Sequence, residues 1–113
     1  MSASNLELTG VYAAVLTPQN KDLSVDHDRL AAHSKWLLAS GCDGLGILGT
    51  TGEANSFSLA ERLELLDKLA ENGVPTKGMM PGTGCCAIPD TVELTKKALE
   101  IGAGSVLMLP PFY

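Results

Sequence analysis

Short apolar runs alternate with longer stretches of helical periodicity along this chain, and that alternation limits its folds more than anything else. Residues 11–17 form a small, apolar run stopped by Pro18, which reads as a buried strand. From Asp26 to Ser40 the pattern turns helical, with Leu30, Ala31, Leu37 and Leu38 on one face and Gly41 placed to end it. Residues 44–49 read as a second strand. Ser58-Leu-Ala-Glu61 is a capping box, in which the serine hydroxyl and the glutamate satisfy each other's backbone donors. It opens a helix with Leu59, Leu63, Leu66 and Ala70 at helical spacing, ended by Asn72-Gly73. Residues 76–80 read as a third strand, closed by Pro81-Gly-Thr-Gly84. A third helix starts at Asp90 or Thr91, carries Val92, Leu94, Ala98 and Leu99 as its apolar side, and stops at Gly102. Residues 105–109 are a fourth strand, ended by Pro110-Pro111.

The order β-α-β-α-β-α-β predicts a parallel sheet with right-handed crossovers. A weak repeat supports it. Gly41-Cys-Asp-Gly-Leu-Gly-Ile-Leu and Gly102-Ala-Gly-Ser-Val-Leu-Met-Leu both read helix stop, turn, strand, two units apart. No linker or low-complexity segment divides the chain, so residues 1–113 belong to one domain. Two architectures fit. One is a small doubly wound, flavodoxin-like sheet. The other is the first four βα units of a (β/α)8 barrel, which takes about 250 residues, or roughly 30 per unit. Periodicity does not choose between them.

Composition narrows the function. The 113 residues carry a net charge of −5, and aromatics make up 4%. Neither a basic footprint nor a stacking platform for nucleic acid is present. No apolar run approaches the roughly 18 residues a membrane span needs, so neither nucleic acid nor membrane is an expected partner. The N-terminus shows no basic start followed by an apolar stretch. Three cysteines without CxxC spacing fit a reducing compartment, and a cytoplasmic location is expected. His27 and His33 are six residues apart on one helix, neither i+3 nor i+4, so no metal site is expected there. Met79, Met80 and Met108 read as core filler, and Cys85-Cys86 as small residues filling a tight loop. Nothing basic in their local sequence would activate either thiol.

Gly49-Thr-Thr-Gly-Glu53, directly after the second strand, is the strongest chemical signal. Loops at the C-terminal ends of parallel strands are where α/β folds place ligands. Glycines free backbone N–H groups and the threonines add hydroxyls, a combination suited to a carboxylate or oxyanion. A plain turn, with Thr50 and Thr51 as local caps, fits the spacing equally.

This loop, the Gly82-Thr-Gly84 turn, Pro111-Phe-Tyr113 and the opening Gly10-Val-Tyr-Ala-Ala-Val-Leu-Thr-Pro18 occur in one order and register. Together they resemble the dihydrodipicolinate synthase/N-acetylneuraminate lyase family over nearly the whole chain. The resemblance implies the N-terminal half of a TIM barrel and a class I aldolase or lyase. In that family a lysine on strand six forms a Schiff base with pyruvate or a related 2-oxo acid, and no other cofactor is used. It implies that Thr50 and Thr51 bind the substrate carboxylate and that Thr50 joins a proton relay. Tyr113 would complete that relay across a tight dimer interface, within a homodimer or homotetramer. The Schiff-base lysine lies beyond strand four in the family. Of Lys21, Lys35, Lys68, Lys77, Lys96 and Lys97, most sit on helices or polar loops where a lysine is a solvated charge, and Lys77 opens the third strand at its N-terminal end, the wrong end for catalysis, so none is expected to be the nucleophile. Phe112 replaces the first tyrosine of a Tyr-Tyr pair. Leu59 and Arg62 open the second helix, where lysine-inhibited synthases carry polar or histidine side chains, so lysine feedback is not expected. The rival expectation is a truncated, inactive homologue acting as a binding or assembly module.

Overall fold

The computed structural model describes residues 8–112. Strand β1 (Tyr12–Ala14) pairs in parallel with β2 (Gly44–Gly46), in the register Tyr12 to Gly44, Ala13 to Leu45 and Ala14 to Gly46. The ladder runs on through Val15, whose N–H donates to the Gly46 carbonyl at 3.1 Å. A third extended segment joins the far side of β2. Leu45 donates to Gly78 at 2.9 Å, Met80 to Leu45 at 2.8 Å and Gly82 to Ile47 at 2.7 Å. A fourth joins the third: Leu107 donates to the Pro81 carbonyl at 2.9 Å and Thr83 to that of Leu107 at 3.0 Å.

Four extended segments thus lie side by side in chain order, all parallel. A doubly wound sheet reverses its order at a switch point. This sheet does not, and it is the first half of a (β/α)8 barrel.

Three helices form the outer layer: α1 (His27–Ala39), α2 (Leu59–Glu71) and α3 (Ile88–Glu100). The Asp26 side chain caps α1 by accepting from the Arg29 N–H. The Ser58–Glu61 capping box is formed in full on α2. Gly41, Gly73 and Gly102, expected as helix stops, all have positive φ. The core lies between the helices and the sheet. Leu30 and Ala31 of α1, Leu45 of β2, Leu65, Leu66 and Leu69 of α2, Leu94 of α3, and Val15, Ile47 and Met79 fill it. Lys97 of α3 ties the helical layer together, with Asp67 and Glu100 each 3.1 Å away. Those hydrogen bonds, Asp67's foremost, hold the lysine's pKa above its ordinary value. No helix among the described residues is long and apolar enough to cross a membrane.

Several expectations need correction. The third strand does not begin at Thr76. Residues 76–78 turn, and pairing starts at Gly78, because the chain leaving α2 must first bend back toward the sheet. Helix α3 starts at Ile88, ahead of Asp90, with Pro89 in its first turn, where a missing N–H costs nothing. The buried stripe of α2 is Arg62, Leu65, Leu66 and Leu69, while Leu59 and Leu63 are only half-buried. On α3, Leu94 and Ala98 are buried but Val92 and Leu99 are exposed. Residues 11–17 are not buried throughout. Val15 enters the core, while Ala14 and Leu16, pointing to the opposite face, are exposed. Met108 is exposed as well. A half barrel covers one face of its sheet with helices and leaves the other without opposing strands.

Candidate active site

The C-terminal ends of β2 and the third and fourth segments converge on one edge of the sheet. The Gly49-Thr-Thr-Gly-Glu53 loop leaves β2 at this edge, as its sequence position predicts. Two non-glycine residues in the left-handed region bracket it: Leu48 at φ 57° and Glu53 at φ 55°. Each costs about 1–2 kcal/mol, so the surroundings must hold the loop in place. Leu48 is buried in the core, and the loop closes on itself through Glu53 N–H to Thr50 O at 3.0 Å. Gly52 is buried against the end of β1. A Cβ there would stand 2.9 Å from the Val15 carbonyl oxygen and 3.2 Å from Thr17 Oγ1, so only glycine fits. The Thr17 hydroxyl donates to the Gly52 carbonyl at 2.7 Å. Downstream, a single 3₁₀ turn (Ala54–Ser56) leads to the buried Phe57.

A cleft of about 340 Å³ opens beside this loop. Gly49, Thr50, Asn55 and Ser56 line one wall, Gly82, Gly84, Cys85 and Cys86 another, and Leu107, Leu109 and Phe112 a third. Thr50 lines the cleft, and Thr51 is exposed outside it. Tyr113, the third expected site residue, lies outside the described residues, although Phe112 next to it reaches the cleft. Among the described residues no lysine lines the cleft. Lys77 is exposed in the turn before the third segment. His27 pairs with Glu64 of α2 at 3.9 Å and His33 stacks on Trp36. Among the described residues no group of three side chains could hold a metal.

Arg62 is what residue-by-residue reading missed. It is only 4% exposed and crosses from α2 beneath the cleft. One guanidinium nitrogen donates to the Gly82 carbonyl at 3.0 Å and another contacts Cys85 Sγ at 3.2 Å, while the Gly84 carbonyl lies 3.5 Å from both. A buried guanidinium that donates to backbone carbonyls fixes the path of the third loop. Cys85 therefore does have a basic neighbour, supplied from 23 positions earlier in the chain. The signal was available, since Arg62 shares a helical face with Leu65, Leu66 and Leu69. Replacing Arg62 with Met should keep the volume and remove these hydrogen bonds. The expected cost is about 2 kcal/mol, or a melting point lower by roughly 8 °C, read in a thermal unfolding scan.

Comparison with known proteins agrees with this architecture. The model of the dihydrodipicolinate synthetase family matches residues 7–113. An uncharacterized DapA-like lyase of Chloroflexus aurantiacus is 38% identical over 109 residues, which are 95% of this chain and 36% of that protein. The crystal structure of dihydrodipicolinate synthase from Agrobacterium tumefaciens superposes with a TM-score of 0.87 at 35% identity, over 92% of this chain and 36% of that one. YagE of E. coli K12, a family member solved in complex with pyruvate, superposes with a TM-score of 0.82 at 28% identity, over 93% of this chain and 36% of that one. The chain thus spans little more than a third of the length of the proteins it matches.

Proposed function

The chain belongs to the dihydrodipicolinate synthetase family, and on that premise we propose that the protein is a Schiff-base lyase or aldolase acting on pyruvate or a related 2-oxo acid. The observation that carries this reading is the 49–53 loop. It is a strained, glycine-bearing turn at the C-terminal end of a parallel strand, held from β1, with Thr50 on a cleft. The relative bound to pyruvate supports the substrate class.

In this reading the loop's N–H groups and the Thr50 hydroxyl on the cleft hold the substrate carboxylate, and Thr51, exposed beside the cleft, adds its hydroxyl once substrate is bound. Charge is met by aligned dipoles, which need no reorganisation when the reaction starts. The nucleophile is a lysine on a later strand of the barrel. Its amine attacks the 2-oxo carbon to give a carbinolamine, and loss of water gives the imine. Each step moves a proton on or off oxygen. The Thr50 hydroxyl passes it, with Tyr113 of a second subunit completing the relay in a homo-oligomer. A hydroxyl chain does this without placing a charged base beside the substrate carboxylate. Neither metal nor organic cofactor enters the scheme.

The test is chemical trapping. The protein in its native length is incubated with pyruvate and borohydride, and its intact mass is recorded. The expected result is one reduced pyruvate on a lysine outside the 113 residues, located by peptide mapping. No adduct with pyruvate or any other 2-oxo acid would overturn the reading and leave a binding or assembly role.

A further inference from the structure

The loop proposed to hold the substrate carboxylate does not sit in its conformation by local preference. Both of its flanking residues, Leu48 and Glu53, occupy the left-handed region that side-chain-bearing residues avoid. Strain of that kind persists only where neighbouring structure enforces it. The upstream flank is enforced by burial of Leu48, and the downstream end by burial of Ala54 and Phe57. The middle is met from another strand. Thr17 lies three residues beyond β1, and its hydroxyl donates to the Gly52 carbonyl at 2.7 Å across 35 positions of sequence. Gly52 itself is buried, with no room for a side chain against Val15 and Thr17.

We propose that Thr17 is a positioning residue for substrate binding, its hydroxyl locking the 49–53 loop into the conformation that receives the 2-oxo acid's carboxylate. The inference rests on the reading of that loop given above. Thr17 touches neither substrate nor lysine in this scheme. It acts through Gly52, one residue from Thr51 and two from Thr50. Without the donor, the buried Gly52 carbonyl loses its partner and the bracketing strain is free to relax. The loop's N–H groups would then no longer be held in place to receive a carboxylate. Affinity for the carboxylate should suffer more than the chemistry that follows binding.

The test uses the protein in its native length with Thr17→Val, which keeps the shape and removes the donor, and Thr17→Ser, which keeps the donor. Three quantities are read: half-saturating pyruvate in borohydride trapping, the maximal trapping rate, and hydrogen exchange of the peptide covering residues 48–54. Thr17→Val should raise half-saturating pyruvate roughly tenfold, the factor one lost hydrogen bond is worth. It should also speed exchange in that peptide and leave the maximal rate within about threefold. Thr17→Ser should stay within about twofold of the parent on all three. A Val variant that melts earlier with unchanged half-saturation would make Thr17 a purely structural residue and overturn the proposal. Equal impairment of the Ser and Val variants would overturn it too. If the unaltered protein traps no 2-oxo acid, the parent reading falls and takes the substrate role with it. Exchange of residues 48–54 then reports separately on whether the clamp exists.

Discussion

Alanine at Gly82 should destabilise the fold more than any other single substitution in the sheet. Gly82 pairs with both neighbours, donating to Ile47 at 2.7 Å and bridging to Leu107. A Cβ built on it would lie 2.0 Å from the Leu48 carbonyl oxygen and 2.9 Å from the Leu48 carbonyl carbon. Both atoms are backbone, and no side chain can swing aside to relieve the contact. Either the ladder opens between β2 and the third segment, or Leu48 leaves the core. Leu48 is 1% exposed and already sits at φ 57°, so its freedom to move is small. A cost of about 3 kcal/mol or more is expected. Against a total of about 5–15 kcal/mol for a domain, this lowers the melting point by more than roughly 10 °C. Gly49→Ala is the control. A Cβ at Gly49 would meet no atom within 4 Å, and its φ is not positive, so its melt should stay near that of the parent. Thermal and urea unfolding followed by circular dichroism would check both. Equal stability of the two variants would show that the sheet tolerates separation at Gly82.

What the sequence disclosed and what it concealed divide along one physical line. Devices that act within a few residues were legible. The Ser58–Glu61 box and the glycine stops depend on neighbours in the chain, and each forms where expected. The order of strands and helices was legible for the same reason. The choice between a doubly wound sheet and a half barrel was not, because it depends on which strand pairs with which. Only the motif resemblance pointed to the barrel, and the 1-2-3-4 pairing agrees with it.

Packing faces were read less well. Arg62 lies on the buried stripe of α2, yet a charged residue there reads as surface until carbonyls arrive from the third loop to receive it. Val92, Leu99 and Met108 look like core residues by type, and burial depends on what packs over them. The Thr17 hydrogen bond was invisible for a related reason, since its partner is 35 positions away. In the loop itself the opposite holds. Its glycines marked a turn at the end of a strand, and the left-handed residues beside it show why glycine alone did not shape that turn.

Thr50 and Thr51 carry the same functional groups, and the geometry separates them. Thr50 lines the cleft and its carbonyl accepts from Glu53 within the loop, whereas Thr51 stands exposed outside. If Thr50 passes the proton during imine formation, Thr50→Val removes the relay and keeps the shape. The maximal rate of pyruvate trapping should then fall about 10²-fold, the lower end of what a positioned acid–base group supplies. Half-saturating pyruvate should rise by no more than about fivefold, because one hydroxyl contact to the carboxylate is lost while the loop's N–H groups remain in place. Thr50→Ser should recover most of the rate. Thr51→Val should weaken saturation by about fivefold and leave the rate nearly unchanged, if its hydroxyl binds the carboxylate and takes no part in the relay. Measuring trapping rate against pyruvate concentration for the three variants gives both parameters. The assignment fails if Thr50→Val keeps its maximal rate. It fails equally if the two valine variants cannot be told apart, because one loop would then be acting only as an anion cradle and the proton would have to travel by another route.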